Sequence, residues 1–200
     1  GCCGFHQPTQ NLVNFFKVDA NGLPLAISQG DLTPLGATGA WNSDNSNFVG
    51  GSMHPVDPRL DWTVGRDGVP YKDWGLHTST WVRDPTFGGM YNGKKHAHEE
   101  AANASSGVGW NPAHLNSVNM HMYRFADLLL LLAEAEVELG NLEAARQIVN
   151  QIRERAGRAA QGPGTSVADI AVPIDDPRIT WADYRIGLYP SFPNPDYART

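Results

Sequence analysis

The alternation of apolar and polar positions is regular in one part of this chain, residues 122–157, MYRFADLLLLLAEAEVELGNLEAARQIVNQIRERAG. Five consecutive leucines, Leu128 to Leu132, turn by about 100° per residue on a helix and so reach every side of the cylinder, where a surface helix shows a single apolar stripe. The run is bounded by Asp127 and Glu134 and falls far short of the roughly 20 residues that a bilayer span needs. The pattern predicts a helix enclosed by protein. After Leu139, Gly140 and Asn141 tolerate the left-handed geometry of a helix end, and a second run begins. In it Leu142, Ala145, Ile148, Val149, Ile152 and Ala156 recur at three- and four-residue spacings, with Glu143, Arg146, Gln147, Arg153 and Glu154 opposite. The pair reads as an antiparallel helical hairpin. Ala133, Ala135, Ala144 and Ala145 match the small-residue spacing of a tetratricopeptide-type unit, whose stability asks for about three stacked neighbours. One such unit is visible, so its neighbours are expected outside this chain, and the leucines, left alone, should form an exposed apolar patch.

The remaining patterns are shorter. Thr9 after Pro8 is a helix N-cap candidate, and Leu12, Val13 and Phe16 form one apolar face, predicting a short helix near 9–17. Asp19 to Pro24, DANGLP, reads as a turn; it lacks the later oxygen ligands and terminal glutamate of a calcium loop. Leu60, Trp62 and Val64 alternate as in a short extended segment. Arg59, between Asp57 and Asp61, is placed to pin that loop by charge-assisted hydrogen bonds.

Composition sharpens this outline. The chain has 21 Gly and 14 Pro, well above the roughly 12% of an average protein, so residues 1–120 and 158–200 read as loop-rich segments flanking the hairpin at 121–157. Six Trp, six Tyr and seven Phe argue for ordered loops wrapped over a scaffold. A net charge of −6 with 15 Lys and Arg in no basic stripe excludes a nucleic-acid binder, which needs clustered cations. Cys2 and Cys3 are adjacent and supply neither a long-range disulfide nor spaced metal ligands.

Catalytic motifs are weak. Lys94 to Gly107, KKHAHEEAANASSG, gathers His96, His98, Glu99 and Glu100, with His114 and His121 beyond. Imidazole and carboxylate are zinc-site material, but no HExxH pattern accompanies them, so a solvated polar loop is expected and a metal-dependent hydrolase is the minor alternative. No G-x-S-x-G and no phosphate-binding glycine motif occurs. The chain reads as a non-enzyme, with no cofactor and no metal.

Four landmarks in order, PTQNLVNFF (8–16), DPRLDWTVGRDG (57–68), WVRDP (81–85) and the hairpin run from 122 to 157, make the chain resemble the SusD/RagB family of bacterial outer-membrane nutrient-binding lipoproteins. The resemblance implies a mainly α fold of the α-α superhelix type with tetratricopeptide-like hairpins and long irregular loops. It also implies a lipid anchor on the cell-surface face of the outer membrane, and a glycan passed to a SusC-like TonB-dependent transporter without being cleaved. Family members are typically more than twice this length and carry a Glu/Arg-rich helix near the C-terminus. The chain therefore reads as a partial, C-terminal-half region over 1–200, with the lipid anchor expected upstream rather than at Cys2 or Cys3. A helical-repeat scaffold for protein partners is the other non-enzymatic reading; it predicts further repeats beside the hairpin.

For a glycan, sugar C–H faces stack on flat aromatics while hydroxyls need short hydrogen bonds. Trp41 and Asn42 in GAWNSDNSNF, and Tyr71, Asp73 and Trp74 in GVPYKDWG, combine these groups on turn-rich loops and are the expected oligosaccharide- or polysaccharide-binding residues. Trp62, Trp81 and Trp110 are expected to plug the scaffold.

Overall fold

The computed structural model describes residues 7–25, 27–28, 31–34, 55–85, 89–101, 118–158 and 176–199. Trp41, Asn42, Trp110, Ser105, Ser106, His114 and both cysteines lie outside these residues. The described elements are mainly helical: α1 (Gln10–Asn14), α2 (Leu60–Thr63), α3 (Phe125–Glu138), α4 (Leu142–Arg158) and α5 (Pro195–Arg199), with two antiparallel ribbons, β1 (Ile27–Ser28) with β2 (Asp31–Pro34) and β3 (Val64–Gly65) with β4 (Asn92–Gly93).

The first half is built around one extended segment. Val56 bridges Lys17 on one side and Tyr184 on the other. Its N–H donates to Asp183 O at 2.9 Å, and its carbonyl accepts from Arg185 N at 3.0 Å. Val13, Val56, Leu60, Val64 and Tyr91 are fully buried around it, with Phe16, Ala182 and Tyr184 packed against them. Helix α1 starts at Thr9 as its side chain predicts, Thr9 Oγ1 accepting from Leu12 N at 3.2 Å. The Asp19 turn also forms, its carboxylate accepting from Asn21 N at 2.8 Å and Leu23 N at 2.9 Å.

The extended reading of Leu60 to Val64 is overturned. Asp57 O accepts from Leu60 N at 3.0 Å and one helical turn follows. Leu60 and Val64, four apart, are buried while Trp62 is exposed, a helical spacing that alternation over five residues cannot distinguish from a strand. Arg59 pairs with Asp57 alone, its Nε and backbone N each 2.9 Å from Oδ1. Asp61 turns inward to Arg66, at 2.8 and 2.9 Å.

The hairpin forms as expected. Helix α3 begins where the Asp127 carboxylate accepts from Arg124 N at 2.9 Å, and it ends at Gly140, which adopts φ 82°, as the glycine there allows. Ala133, Val137 and Ala145 are buried between the helices, with Leu142, Ile148, Val149, Phe192 and Ala198 packed on them. Among the described residues the leucine run finds no such cover: Leu128, Leu130, Leu131 and Leu132 are 45–60% exposed.

The far face of α4 departs from the simple two-sided reading. Arg153, expected in solvent, is buried. Its Nε donates to Gly187 O and its Nη2 to Gly22 O, both at 2.6 Å. One turn earlier Asn150 exchanges hydrogen bonds of 2.9 and 2.8 Å with the backbone of Tyr189, and Arg146 Nη1 donates to the same carbonyl at 2.9 Å. Positions 146, 150 and 153 thus form a polar seam that grips the backbone of 187–189. A polar residue in a helix reads as solvent-facing from sequence, whereas here unpaired main-chain carbonyls of a distant segment supply acceptors that make burial tolerable.

Candidate functional site

Residues 70–101 hold the groups with chemical potential. Pro70 bridges Leu76 across a tight loop in which Tyr71 N donates to Gly75 O at 2.8 Å and Trp74 N to Tyr71 O at 3.1 Å. Lys72 lies at φ 53°, a region that a non-glycine residue occupies only when its surroundings hold it. The hold is visible: Lys72 Nζ donates to Ala97 O and, at 2.9 Å, to Glu99 Oε1. Asp73 Oδ1 accepts from Glu100 N at 2.6 Å and Oδ2 from Ala101 N at 2.8 Å, which holds the carboxyl below the usual range. Trp74 Nε1 donates to His98 O at 2.9 Å, and its ring meets the His98 ring edge-on at 5.5 Å. Tyr71 Oη donates to Gly93 O at 2.6 Å, and burial pushes its pKa up to about 12. Four consecutive side chains, 71 to 74, therefore clasp the segment 93–101.

Beneath the loop lies a buried ionic layer. Asp61 and Arg66 are almost fully enclosed. Arg66 Nη1 also reaches Thr180 O at 3.1 Å, and Tyr184 Oη donates to Asp61. Burial acts to lower the Arg66 pKa, but the facing Asp61 carboxylate more than offsets this and the pKa is raised. Lys94 Nζ donates to Asp61 O and Pro70 O, both at 2.6 Å. Burial first, then the Arg66 charge, lowers its pKa to about 8 against the pull of Asp61. Gly65 keeps this layer compact, since a Cβ there would lie 2.5 Å from the Tyr71 ring.

His77 is buried beside Tyr71, its Nδ1 3.3 Å from Asp67 Oδ1 and its Nε2 3.0 Å from Asn92 Nδ2. Because an amide nitrogen only donates, Nε2 must accept and Nδ1–H faces the carboxylate, which is the neutral tautomer. Burial depresses the pKa to about 4, opposed by Asp67. Between pH 6.5 and 4 the unfolded chain binds the proton that the folded chain refuses, so stability must fall as pH drops through that window. A loss of about 3 kcal/mol at its lower end follows from the size of the shift. Urea midpoints measured from pH 7 to 4 should show this slope, and His77→Gln should flatten it.

The structure thus joins Asp73 and Trp74 to the His96–Glu100 stretch and Tyr71 to Gly93 just before it, segments that the sequence reading treated separately. Trp74 is 39% exposed; with its N–H committed to His98, its indole can offer a ligand only ring surface. Asp73 retains acceptor capacity beyond its two backbone donors. His96 is exposed, and among the described residues no three His, Cys, Asp or Glu side chains are placed to hold a metal ion. Two expected plugs are not plugs: Trp62 and Trp81 are 38% and 44% exposed. The signal at Trp81 was its setting, the polar Thr78, Ser79, Thr80 and Arg83 of LHTSTWVRDP (76–85) around one indole, which favours a surface turn over a core position.

No helix among the described residues is long and apolar enough to cross a membrane. Comparison with curated proteins found no match for the chain. The SusD family matches it over residues 1–166, including the clasped loop, the Asp61–Arg66 pair and the helical hairpin. With that match spanning most of its length, the chain belongs to the SusD family of nutrient-binding outer-membrane proteins.

Proposed function

We propose that this protein is a non-catalytic glycan-binding component of an outer-membrane polysaccharide uptake system, delivering its ligand to a SusC-like TonB-dependent transporter. The observation that carries this reading is family membership over residues 1–166. The clasped loop supports it, because Trp74 offers a rigidly held, half-exposed ring of the kind that stacks on a sugar. Asp73 beside it is the acceptor for a hydroxyl, Tyr71 supports the loop from below, and Trp41 and Asn42 belong to the same proposed ligand set. The exposed leucines of α3 are proposed to pack against further tetratricopeptide-like hairpins of the same polypeptide, with residues 1–200 forming the C-terminal-half part of that fold and a lipid anchor lying upstream.

Affinity electrophoresis of the full-length protein against soluble polysaccharides tests the reading. Retardation without any shortening of the glycan is expected, and Trp74→Ala should weaken it at least roughly fivefold, the size of one lost aromatic contact. Binding of peptides in place of every glycan would favour the protein-scaffold reading, and cleavage of the polysaccharide would rule out a purely binding role.

A further inference from the structure

Trp81 is the most exposed indole among the described residues, at 44%, yet its support is among the best defined. It ends a single 3-10 turn, Ser79–Trp81, whose entry is capped by Thr78 Oγ1 accepting from Thr80 N at 3.2 Å. Its exit is closed by Val82 N donating to Ser79 O at 3.0 Å, with the Val82 side chain buried. The ring meets Tyr71 at 6.0 Å and 84° and His77 at 5.5 Å and 72°. Both supporting rings are themselves anchored, Tyr71 on Gly93 O and His77 between Asp67 and Asn92. The segment that follows is tied down by Gln7 Nε2, 2.7 Å from Gly89 O and 3.4 Å from Asp84 O.

A half-exposed tryptophan on a loose turn would lose rotamer freedom whenever a ligand covered it; here that ordering is already complete in the folded chain. We propose that the Trp81 indole is a stacking platform for the apolar C–H face of a neutral sugar ring, with Tyr71 and His77 as its positioning residues. The platform rests on the glycan-binding reading above and adds a binding residue to it. Perpendicular contact with two rings settles the plane of the indole, so a sugar meets a surface already oriented. Tyr71, through its phenol bond to Gly93 O, thereby acts on the ligand by way of Trp81.

The test uses full-length protein and a panel of soluble starch, xylan, mannan and polygalacturonate in affinity electrophoresis, with wild type, Trp81→Ala, Trp81→Phe and Trp62→Ala compared. Trp62, of similar exposure at 38%, is the control for loss of any surface indole. Wild type should be retarded by at least one neutral polysaccharide, Trp81→Ala should weaken that binding roughly tenfold or more, and Trp81→Phe should restore most of it, as aromatic stacking predicts. Trp62→Ala should bind as wild type, and thermal melts of all four proteins should coincide within a few degrees. Wild-type retardation left unchanged by Trp81→Ala overturns the platform while the glycan-binding reading stands. Failure of wild type to bind any member of the panel overturns both.

Discussion

Arg66→Ala should cost about 3–5 kcal/mol of stability, the usual range for a buried ion pair stripped of one partner. Asp61 is fully buried and Arg66 nearly so, with two short contacts between them at 2.8 and 2.9 Å. Alanine would leave the carboxylate with the neutral Tyr184 Oη as its donor, in a medium that penalises a poorly paired charge heavily. Lys94 makes up little of the loss, because its ammonium donates to the carbonyls of Asp61 and Pro70 rather than to the carboxylate. Urea denaturation is the measurement. The double replacement Asp61→Leu with Arg66→Met should recover much of the loss, since removing both charges together spares the desolvation that a lone one imposes. A single-variant loss below about 1 kcal/mol would show that water reaches this pair.

The second large effect is expected from one methyl group. A Cβ on residue 187 would sit 2.1 Å from Asn21 O, and one on residue 22 would sit 2.5 Å from Gly187 N. These are backbone atoms on both sides, joined by Gly187 N donating to Gly22 O at 2.8 Å, so no side chain can swing away to make room. Gly187→Ala must push the Asp19 turn off the 186–188 segment. The two carbonyls held by Arg153 then separate, and its guanidinium loses the acceptors that justify its burial. About 3 kcal/mol of destabilisation is expected, the upper end for an overpacked site. Arg153→Lys should cost less, because one ammonium can still reach a carbonyl but cannot bridge two. If Gly187→Ala melts with the parent protein, the close approach of these two backbones is wrong.

The hairpin was legible because its information is local. Heptad-scale spacing of Leu142, Ala145, Ile148, Val149 and Ala156, the glycine at 140 and the acidic residue at 127 each act within one or two helical turns, where geometry follows directly from the chain. Thr9 and Asp19 were legible for the same reason, each side chain closing a hydrogen bond within four residues. The Leu60 to Val64 segment failed because five residues fit a turn of helix and a strand equally well. The solvent-facing reading of Arg153 failed because its partner Gly187 lies more than thirty residues away. For the candidate site, Tyr71, Asp73 and Trp74 were recognised as a group, but the clasp that organises them depends on 93–101. Trp81 was expected to plug the scaffold and instead stands half-exposed on a surface turn.

The sequence by itself determined the class of this protein: four ordered landmarks and a mainly helical scaffold with one strongly patterned hairpin. Tertiary structure alone decided which polar groups are spent and which face outward. Burial of Asp61, Arg66, Lys94, His77 and Arg153 depends on acceptors and donors brought from distant segments, and a polar side chain enters a core only where such partners wait for it. The same long-range pairing consumes the Trp74 N–H and the Tyr71 hydroxyl, and it leaves ring surface as what the site presents.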